Sequence, residues 1–530
     1  MMARRSVLII AVLLLAVIGL APMVVMFARS ITVDGGLSLE FYRNLMASDR
    51  PWRLLGNSLT LASLVALLST LLGVSLGIVL GKTDIPLRRL FTLLFTLPLL
   101  IPSYITALSW ADVLGGSGLA SHFVSAAWIK TASALLFGLP GCVLVLASTF
   151  MPVVMLATMI YLRTINPRLE EAARLVSRPS GVLRAITIPL IRPGIVLAAT
   201  LVFLLALGDF GVPTFLRVDV FPTESFTQFS AFYNFGAATA AAVPLAILTI
   251  AVLGGEQLFL RHRTDELRPA SGGDDLPRLR LGRGKPLVVI AVAVLCLVIV
   301  VIPLIALLVQ SGSAGAYIRA LHTVGDSLVR SLVLAAVGAT ALTILGFFVG
   351  YLIHTRALAV WRAVDAWTVL LFALPSTVIG IGLIALWNRP ATNLIYATPL
   401  MILLGYLAQY TALTSRATVA GLALVPASME EAAAVTGAGW VRRVILIVVP
   451  LVRRTLMGGW LIAYIFCLRD TGITMLVYPP GYDTLPVRIL TLMANGAPDL
   501  IAAASVLMIV ATVVPLAILA LILGKQRRSR

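Results

Sequence analysis

Long apolar stretches recur along this chain and leave little choice of secondary structure. Hydrophobic residues make up 60% of the sequence and charged residues only 12%. A helix that crosses a bilayer needs roughly 20 mostly apolar residues, and in lipid every backbone N–H and C=O group must be paired within the protein. About twelve stretches qualify, near 6–28, 57–81, 90–110, 134–162, 193–216, 238–260, 286–310, 329–354, 366–387, 396–415, 455–477 and 500–523. The sequence therefore predicts an all-α, polytopic membrane protein.

The net charge of +18 follows the predicted membrane topology. With both termini placed in the cytoplasm, most Lys and Arg residues fall on the inner side, from Arg4 and Arg5 to Lys525. An excess of cationic residues in cytoplasmic loops is the positive-inside bias of membrane proteins. No basic patch with interleaved aromatic residues accompanies it. The charge therefore indicates the topology of a chain in a lipid bilayer and no nucleic-acid partner.

The most polar stretch, 261–285, divides the chain into two parts that resemble each other. Its Pro, Gly, Ser and charged residues lack apolar periodicity and predict a cytoplasmic linker between one six-span half in 1–260 and another in 286–530. Asp209-Phe210-Gly211 matches Asp470-Thr471-Gly472, and Pro189 matches Pro450, both 261 positions apart. An even number of spans gives both copies the same orientation, so the sequence predicts a parallel repeat about an axis along the membrane normal.

Two polar loops at matching positions are the most distinctive feature of the duplication. The glutamates open a helix-forming run, where the helix dipole favours negative charge, and the alanines favour the helix itself. A short exposed helix with small residues suits a groove on a partner, although one such loop alone could be an ordinary connector. Its recurrence at matching positions favours docking. The first polar loop (163–192) contains Glu170, Glu171, Ala172 and Ala173, and the second polar loop (417–454) contains Glu430, Glu431, Ala432 and Ala433.

These loops resemble the EAA loop of permease subunits of ATP-binding cassette (ABC) importers. Its pattern is Glu-Ala-Ala, three residues, Gly, nine residues and Ile-x-Leu-Pro. The second polar loop follows it with Glu431-Ala432-Ala433, Gly437, Ile447 and Pro450, and with Val449 at the leucine position. The first polar loop departs from it, with Ser177 at the glycine position, eight residues before Ile186, and Ile188 at the leucine position. We therefore expect the first loop to dock with altered geometry or lower affinity.

The resemblance covers nearly the whole chain and implies a type I ABC importer permease fold. It implies that each polar loop forms a coupling helix seated in one of two ATPase subunits. Those subunits would bind ATP and Mg, whereas this chain would hold no cofactor. The resemblance places the chain in the inner (plasma) membrane of a bacterial cell, where a periplasmic or extracellular solute-binding protein would deliver the solute. Closure of the ATPases would rock one half against the other, so that the pathway opens alternately outward and inward.

Two stretches are similar to those of the fused ferric-iron permeases, namely 98–104 and 479–489. This narrower resemblance makes ferric iron the expected solute. Related fused permeases carry thiamine or 2-aminoethylphosphonate, and both remain alternatives. Pro98, Pro102 and Pro375 are expected to kink spans three and nine, because proline removes a helical hydrogen bond.

The sequence offers no chemistry with which this chain could power itself. Gly81-Lys82-Thr83 imitates the end of a Walker A motif, but position 76 is Leu where that motif needs Gly. We interpret Gly81 as a helix terminus and Lys82 as an anchor on the inner side. No catalytic triad, paired catalytic carboxylates or metal-binding spacing is found, and Cys142, Cys296 and Cys467 are expected to pack as apolar residues. Energy is therefore predicted to come from a separate subunit, and this chain is predicted not to be an enzyme.

Acidic residues stand at matching positions of two predicted spans, Asp209 near Gly211 and Asp470 near Gly472. Ionisable groups in a bilayer are costly and usually face a cavity or a partner, and glycines beside them permit close approach or local unwinding. One interpretation places them on the translocation pathway or at its outer gate, where they suit a cation. The other is that each caps a broken helix or pairs with a cation such as Arg469.

Two other classes of protein share some of these features. A secondary transporter with parallel six-span repeats would show the duplication, but it would not require matched Glu-Ala-Ala loops and would carry more intramembrane ionisable groups. A membrane scaffold would not need acidic groups at repeat positions. Retention of an ATPase during purification discriminates among the three.

Overall fold

The computed structural model describes the backbone of residues 2–33, 36–175, 177–232, 234–260 and 279–528. Within these ranges, nine helices are long and apolar enough to cross a membrane. Three further apolar helix pairs are bent at short breaks, which brings the number of spans to as many as twelve. The predicted all-α, polytopic membrane fold is thereby confirmed. Of the predicted linker 261–285, residues 261–278 lie outside the described residues.

The spans are numbered here in chain order. They are Ala3–Ser30, Asp49–Lys82, Arg88–Leu100 with Ser103–His122, Leu139–Leu162, Ser180–Gly208, Phe235–Phe259, Gly282–Ser311, Ala314–Thr355, Trp361–Ala373 with Ser376–Trp387, Pro390–Tyr396 with Leu400–Leu422, Trp440–Arg469 and Pro498–Ile518. The shorter helices are Glu40–Met46, Ala126–Leu136, Pro167–Arg174, Gly211–Phe215, Phe221–Ser230, Ala427–Val435, Thr474–Val477 and Leu485–Asn495. Two short strands, Thr32–Val33 and Gly36–Leu37, pair antiparallel.

Spans 3 and 9 break at equivalent prolines. Their two helices meet at 105° and 109°, so the predicted kinks are full breaks. Pro102 (φ −52°, ψ 136°) and Pro375 (φ −53°, ψ 138°) precede the second helix of each pair with nearly identical backbone angles. A proline also drives the residue before it out of the helical region, which explains the extended ψ angles of Ile101 (137°) and Leu374 (140°).

Spans 5 and 11 begin earlier than hydropathy indicates, at Ser180 and Trp440 rather than near 193 and 455. The arginines of the polar loops lower the hydropathy of these turns, but they do not interrupt the helix. In each span a π-helical turn, Leu183–Thr187 or Val444–Val448, precedes the proline of the matched motif. Pro189 and Pro450 each lie two residues after this π-helical turn, where proline, which has no N–H, interrupts the regular hydrogen-bond ladder of the span.

The described residues pack into two compact units, each combining spans from different parts of the sequence. One unit consists of Arg50–Thr223 and Ile247–Gly312 and therefore contains span 7 beside spans 2–5. Its core joins Phe95 of span 3 with Val292 and Cys296 of span 7. The other consists of Met1–Asp49, Glu224–Ala246 and Ser313–Arg530 and contains span 1 beside spans 8–12. Each unit thus takes the first span that the sequence assigns to the opposite half.

Matched helix crossings occur in the two units. In one, a Cβ atom on Gly77 of span 2 would lie 2.6 Å from Thr158 Cβ of span 4. In the other, a Cβ atom on Gly350 of span 8 would lie 2.7 Å from Thr418 Cβ of span 10. Only glycine permits so close an approach of two helix backbones. The 273-residue offset from Gly77 to Gly350 aligns spans 2 and 8 residue by residue.

Hydrogen bonds at the opposite ends of spans 2 and 8 follow the same alignment. Ser58 Oγ accepts the N–H of Phe221 at 2.8 Å, and Ser331 Oγ accepts the N–H of Leu485 at 2.7 Å. Each bond fixes the start of a helix in the segments 217–235 and 478–495. Arg330 further holds the second of these segments through Asp483 Oδ1 at 3.2 Å.

Candidate coupling loops and membrane carboxylates

Both polar loops form the short helix that the sequence predicts, and both present the same positions to solvent. The helices are Pro167–Arg174 and Ala427–Val435. The first starts at Asn166, whose side chain accepts the Arg168 N–H at 3.1 Å as an N-cap. The outward positions are matched pairs: Glu171 and Glu431, Ala172 and Ala432, and Ser177 and Gly437 are exposed, whereas Ala173 and Ala433 are half-buried. Glu171 and Glu431 are the exposed acidic groups of these helices.

Glu170 points the other way, into the protein. Its side chain is 1% exposed and forms an ion pair with Lys82, the last residue of span 2. Thr187, in the π-helical turn of span 5, donates to Glu170 Oε1 at 2.7 Å, and Lys82 Nζ donates to Thr187 Oγ1 at 3.3 Å. We call these three residues the Lys82 cluster. It joins the first loop helix to spans 2 and 5.

Glu430 occupies the equivalent place in the second loop, but its partners differ. Tyr351 of span 8 donates its hydroxyl to Glu430 Oε1 at 2.9 Å, and Trp440 Nε1 donates to the Tyr351 oxygen at 3.1 Å. We call these three residues the Tyr351 cluster. Arg443 approaches Glu430 Oε1 at 3.9 Å, and the Glu430 side chain remains 27% exposed. A cavity of about 300 Å³, lined also by Arg4, His354 and Glu431, opens beside it.

The two loop helices also end differently, which explains the glycine of the motif. In the second loop the N–H of Gly437 bonds to Ala434 O at 3.1 Å and that of Ala438 to Ala433 O at 3.2 Å, the double bond pattern of a Schellman end. Gly437 has φ +83°, a conformation that glycine adopts without strain. In the first loop, Ser177 N–H bonds to Ala173 O at 2.9 Å, and Ser177 is not among the described residues with positive φ.

Replacing Gly437 with alanine is expected to loosen the second loop helix. A side chain at this φ costs about 1 kcal/mol, so the helix amides should exchange with deuterium several-fold faster. Gly439→Ala is the matched control, because Gly439 has φ −60° and open space around it. Equal exchange over 427–435 in both variants would contradict this explanation of the glycine.

Asp209 lies at the break that ends span 5 rather than inside the helix. Its backbone is extended (φ −74°, ψ 122°), and its Oδ1 accepts the Val212 N–H at 3.0 Å at the start of helix Gly211–Phe215. Ser103, the first residue after the break of span 3, donates to Asp209 Oδ2 at 2.5 Å. Asp209 is half-buried. A Cβ atom built on Gly211 would lie 3.6 Å from Tyr104 Cβ. The side chain thus ties together two broken spans.

Asp470 occupies the same place at the end of span 11 and is more deeply enclosed. Only 5% of the residue is exposed. Its Oδ2 accepts the N–H of Thr474 at 2.9 Å and the Thr474 hydroxyl at 2.7 Å, while Tyr410 of span 10 donates to Oδ1 at 2.8 Å. Gly472 is buried beside it. Both aspartates therefore act as caps at helix breaks, and whether they also contact solute stays a prediction.

Several residues of these sites were missed in the sequence. Lys82 was interpreted as a simple anchor, and Tyr351, Thr187 and Tyr410 were not singled out. One signal was available for Thr187, since it is the polar residue inside Ile186-Thr187-Ile188-Pro189, where the second loop has Val448. Among the described residues, no group of three or more His, Cys, Asp and Glu side chains could hold a metal ion. Cys142, Cys296 and Cys467 are free and buried.

The loop end of span 2 also receives the chain that leads into span 7. Leu279 N–H bonds to Lys82 O at 2.8 Å, and Leu281 N–H bonds to Asp84 Oδ1 at 3.1 Å. Lys285 pairs with the other Asp84 oxygen at 3.0 Å. The backbone hydrogen bond from Leu281, and then the Lys285 ammonium, lower the pKa of Asp84. Residues 82–84 therefore hold both the first polar loop and the start of span 7.

Comparison with known proteins connects this architecture to transport. No protein-family profile matches the chain. A putative ferric transport system permease protein of Haemophilus influenzae is 23% identical over 466 residues, which is 82% of this chain and 72% of that protein. The ferric transport system permease protein of Actinobacillus pleuropneumoniae is 23% identical over 460 residues, 82% of this chain and 65% of its own length.

Permeases of other transport systems match shorter parts. The molybdenum transport system permease protein of Escherichia coli is 28% identical over 223 residues, 40% of this chain and 96% of its own length. A putative 2-aminoethylphosphonate transport system permease protein of Salmonella typhimurium is 24% identical over 181 residues, 34% of this chain and 68% of its own. These similarities confirm the resemblance to permease subunits of ABC importers that the polar loops predict. Together with its apolar spans, they make this chain a multi-pass membrane permease of that kind.

Proposed function

We propose that this chain forms the translocation pathway of an ATP-driven importer for ferric iron delivered by an external binding protein. Two separate ATPase subunits bind ATP and Mg and hydrolyse the nucleotide, and each receives one polar loop as a coupling helix. Both termini lie in the cytoplasm. The chain itself performs no hydrolysis and holds no cofactor. The observation that carries the proposal is the matched pair of loop helices, which present Glu171 and Glu431 to solvent in the same way.

Exposed carboxylates on two equivalent helices suit cationic partners. An exposed charge contributes to the encounter and to the specificity of an interface, and reversing it places like charges opposite each other. The alanines beside Glu171 and Glu431 have short side chains, so that a partner can approach the helix backbone closely. Leu175 (87% exposed) and Val435 (88% exposed) extend the same surface with apolar side chains at equivalent positions.

Reversing both charges tests the docking. The double variant Glu171→Lys/Glu431→Lys is expected to retain several-fold less ATPase than the unmodified chain, which should keep near two copies per permease. Native mass spectrometry of the tagged complex from its own membrane measures both. Glu40→Lys/Asp49→Lys is the control, because these two exposed acids change the net charge equally on the predicted outer side. If the reversed variant keeps ATPase and transport intact, the coupling role of the loops is wrong.

The solute is proposed from the relatives that cover most of the chain, which are ferric transport system permeases. A second candidate is 2-aminoethylphosphonate, since a putative permease for that solute matches a third of the chain. Proteoliposomes with the ATPases inside, supplied outside with the cognate binding protein, should accumulate radiolabelled ferric iron only when ATP is present. Accumulation of 2-aminoethylphosphonate without iron would favour the second candidate. Uptake of either solute without ATPase, driven by an ion gradient, would identify a secondary transporter instead.

A further inference from the structure

We propose that the two coupling helices are held unequally, with Lys82 as the positioning residue that fastens the first one to spans 2 and 5. The second helix is attached by a weaker, partly exposed set of bonds and can shift. The term coupling helix rests on the proposed function, but the difference in attachment is a property of this chain alone. It concerns how the force of an ATPase would reach each set of spans.

The Lys82 cluster joins three separate elements at one point. Lys82 ends span 2, Glu170 lies in the first turn of the loop helix, and Thr187 lies at the base of span 5. The three residues are 0–1% exposed. Glu170 Oε1 accepts from both partners, and Lys82 also donates to Thr187. The loop helix therefore cannot move alone, because that would separate opposite charges away from water and leave them unpaired.

The aligned positions of the second loop lack these groups. The 273-residue offset between spans 2 and 8 pairs Lys82 with Thr355, and the 261-residue offset between the prolines pairs Thr187 with Val448. Glu430 is held instead by the Tyr351 hydroxyl and, at 3.9 Å, by Arg443. A neutral hydroxyl makes a weaker hydrogen bond to a carboxylate than a buried ammonium does.

Solvent access adds to this difference. The cavity of about 300 Å³ beside the Tyr351 cluster is lined by Glu430, Arg443 and Thr355. Water that enters it can replace the bonds of Glu430 one by one, at little cost. Around the buried Lys82 cluster no such exchange is open to Glu170, which is 1% exposed. The first loop helix thus moves together with spans 2 and 5, whereas the second loop helix can move relative to the spans that hold it.

A pair of spin labels compares the two helices directly. Leu175→Cys and Val435→Cys place labels at equivalent positions with 87% and 88% exposure, and the three native cysteines are buried. In the unmodified background we expect the label at 175 to be the less mobile one. Lys82→Met/Glu170→Met removes both charges together, which avoids the unpaired charge of a single replacement and any new pairing of Glu170 with nearby Arg174. It should raise mobility at 175 several-fold and leave 435 unchanged.

Two further variants keep the test decisive. Thr187→Val copies Val448 and is mild enough to preserve folding; it should raise mobility at 175 by a smaller factor. Tyr351→Phe should act only on 435. A Lys82→Arg chain keeps the positive charge and should leave the spin label at position 175 as immobile as in the unmodified protein. A general loss of stability would instead raise the mobility of that label. Equal mobility at the two positions in the unmodified protein, or no change at 175 in both cluster variants, overturns the proposal.

The labels report on the permease without any ATPase. If mobility changes as expected but no ATPase binds, the attachment is right and the proposed function fails. If ATPase binds and mobility does not change, the proposed function stands and the attachment fails. In the complete importer, the double methionine variant should transport less solute per ATP hydrolysed, because the first helix would move without its spans.

Discussion

Asp470→Ala is expected to lower the free energy of unfolding by about 3 kcal/mol, since it leaves three buried donors without their acceptor. Thr474 supplies two of them through its N–H and hydroxyl, and Tyr410 supplies the third. The site is 5% exposed, so water cannot readily take the place of the carboxylate. Spans 10 and 11 and the helix Thr474–Val477 all depend on this group. Thermal unfolding in detergent, monitored beside transport, measures the loss.

Asp470→Asn separates the capping role from a role of the negative charge. The amide oxygen can keep both bonds from Thr474, and the amide NH2 group can donate to Tyr410, whose hydroxyl then accepts. We therefore expect nearly unmodified stability and transport in the asparagine variant. If it unfolds normally but no longer transports, the carboxylate acts on the solute and capping is not its main task. Asp209→Asn, at the half-buried equivalent position, shows whether the two units differ in this respect.

Most of the architecture could be predicted from hydropathy and from the positions of the prolines, because each of these depends only on residues that are close together in the sequence. A bilayer requires an apolar helix of fixed length, and Pro102 and Pro375 interrupt their spans whatever surrounds them. Local reasoning was less successful at the starts of spans 5 and 11. Arginines there lower the hydropathy of the first turns without ending the helix, so a hydropathy scale places the start of each span too late.

The attachments of the loops could not be predicted from neighbouring residues. Lys82 and Glu170 are 88 positions apart, and their pairing depends on how span 2 crosses spans 4 and 5. The motif drew attention to both glutamates of each loop, yet one faces inward and the other outward. Helical periodicity cannot decide that without knowing which side of the helix meets the spans. Tyr351 illustrates the same limit, because one tyrosine among apolar neighbours carries no sign of its partner.

The crossing of spans 8 and 10 allows a second large effect. In a Gly350→Ala chain, the new Cβ atom would lie 2.5 Å from the carbonyl oxygen of Ser415 and 2.7 Å from Thr418 Cβ. The nearer of these atoms belongs to the backbone, so the two helices must separate, and overpacking of this kind typically costs about 1–3 kcal/mol. Gly77→Ala should behave alike in the other unit, where the new atom would meet Thr158 Cβ at 2.6 Å and Met155 O at 2.9 Å.

Gly254→Ala in span 6 provides the matched control, since nothing lies within 4 Å of its built Cβ. Alanine favours a helix over glycine by about 1 kcal/mol, so this variant should be as stable as the unmodified chain or slightly more so. Unfolding temperatures of the three alanine variants therefore test the packing directly. If the Gly350→Ala and Gly254→Ala chains unfold at the same temperature, spans 8 and 10 are not in close contact. Loss of stability at Gly350 and Gly77 alone would establish that both crossings depend on glycine, as a duplicated fold requires.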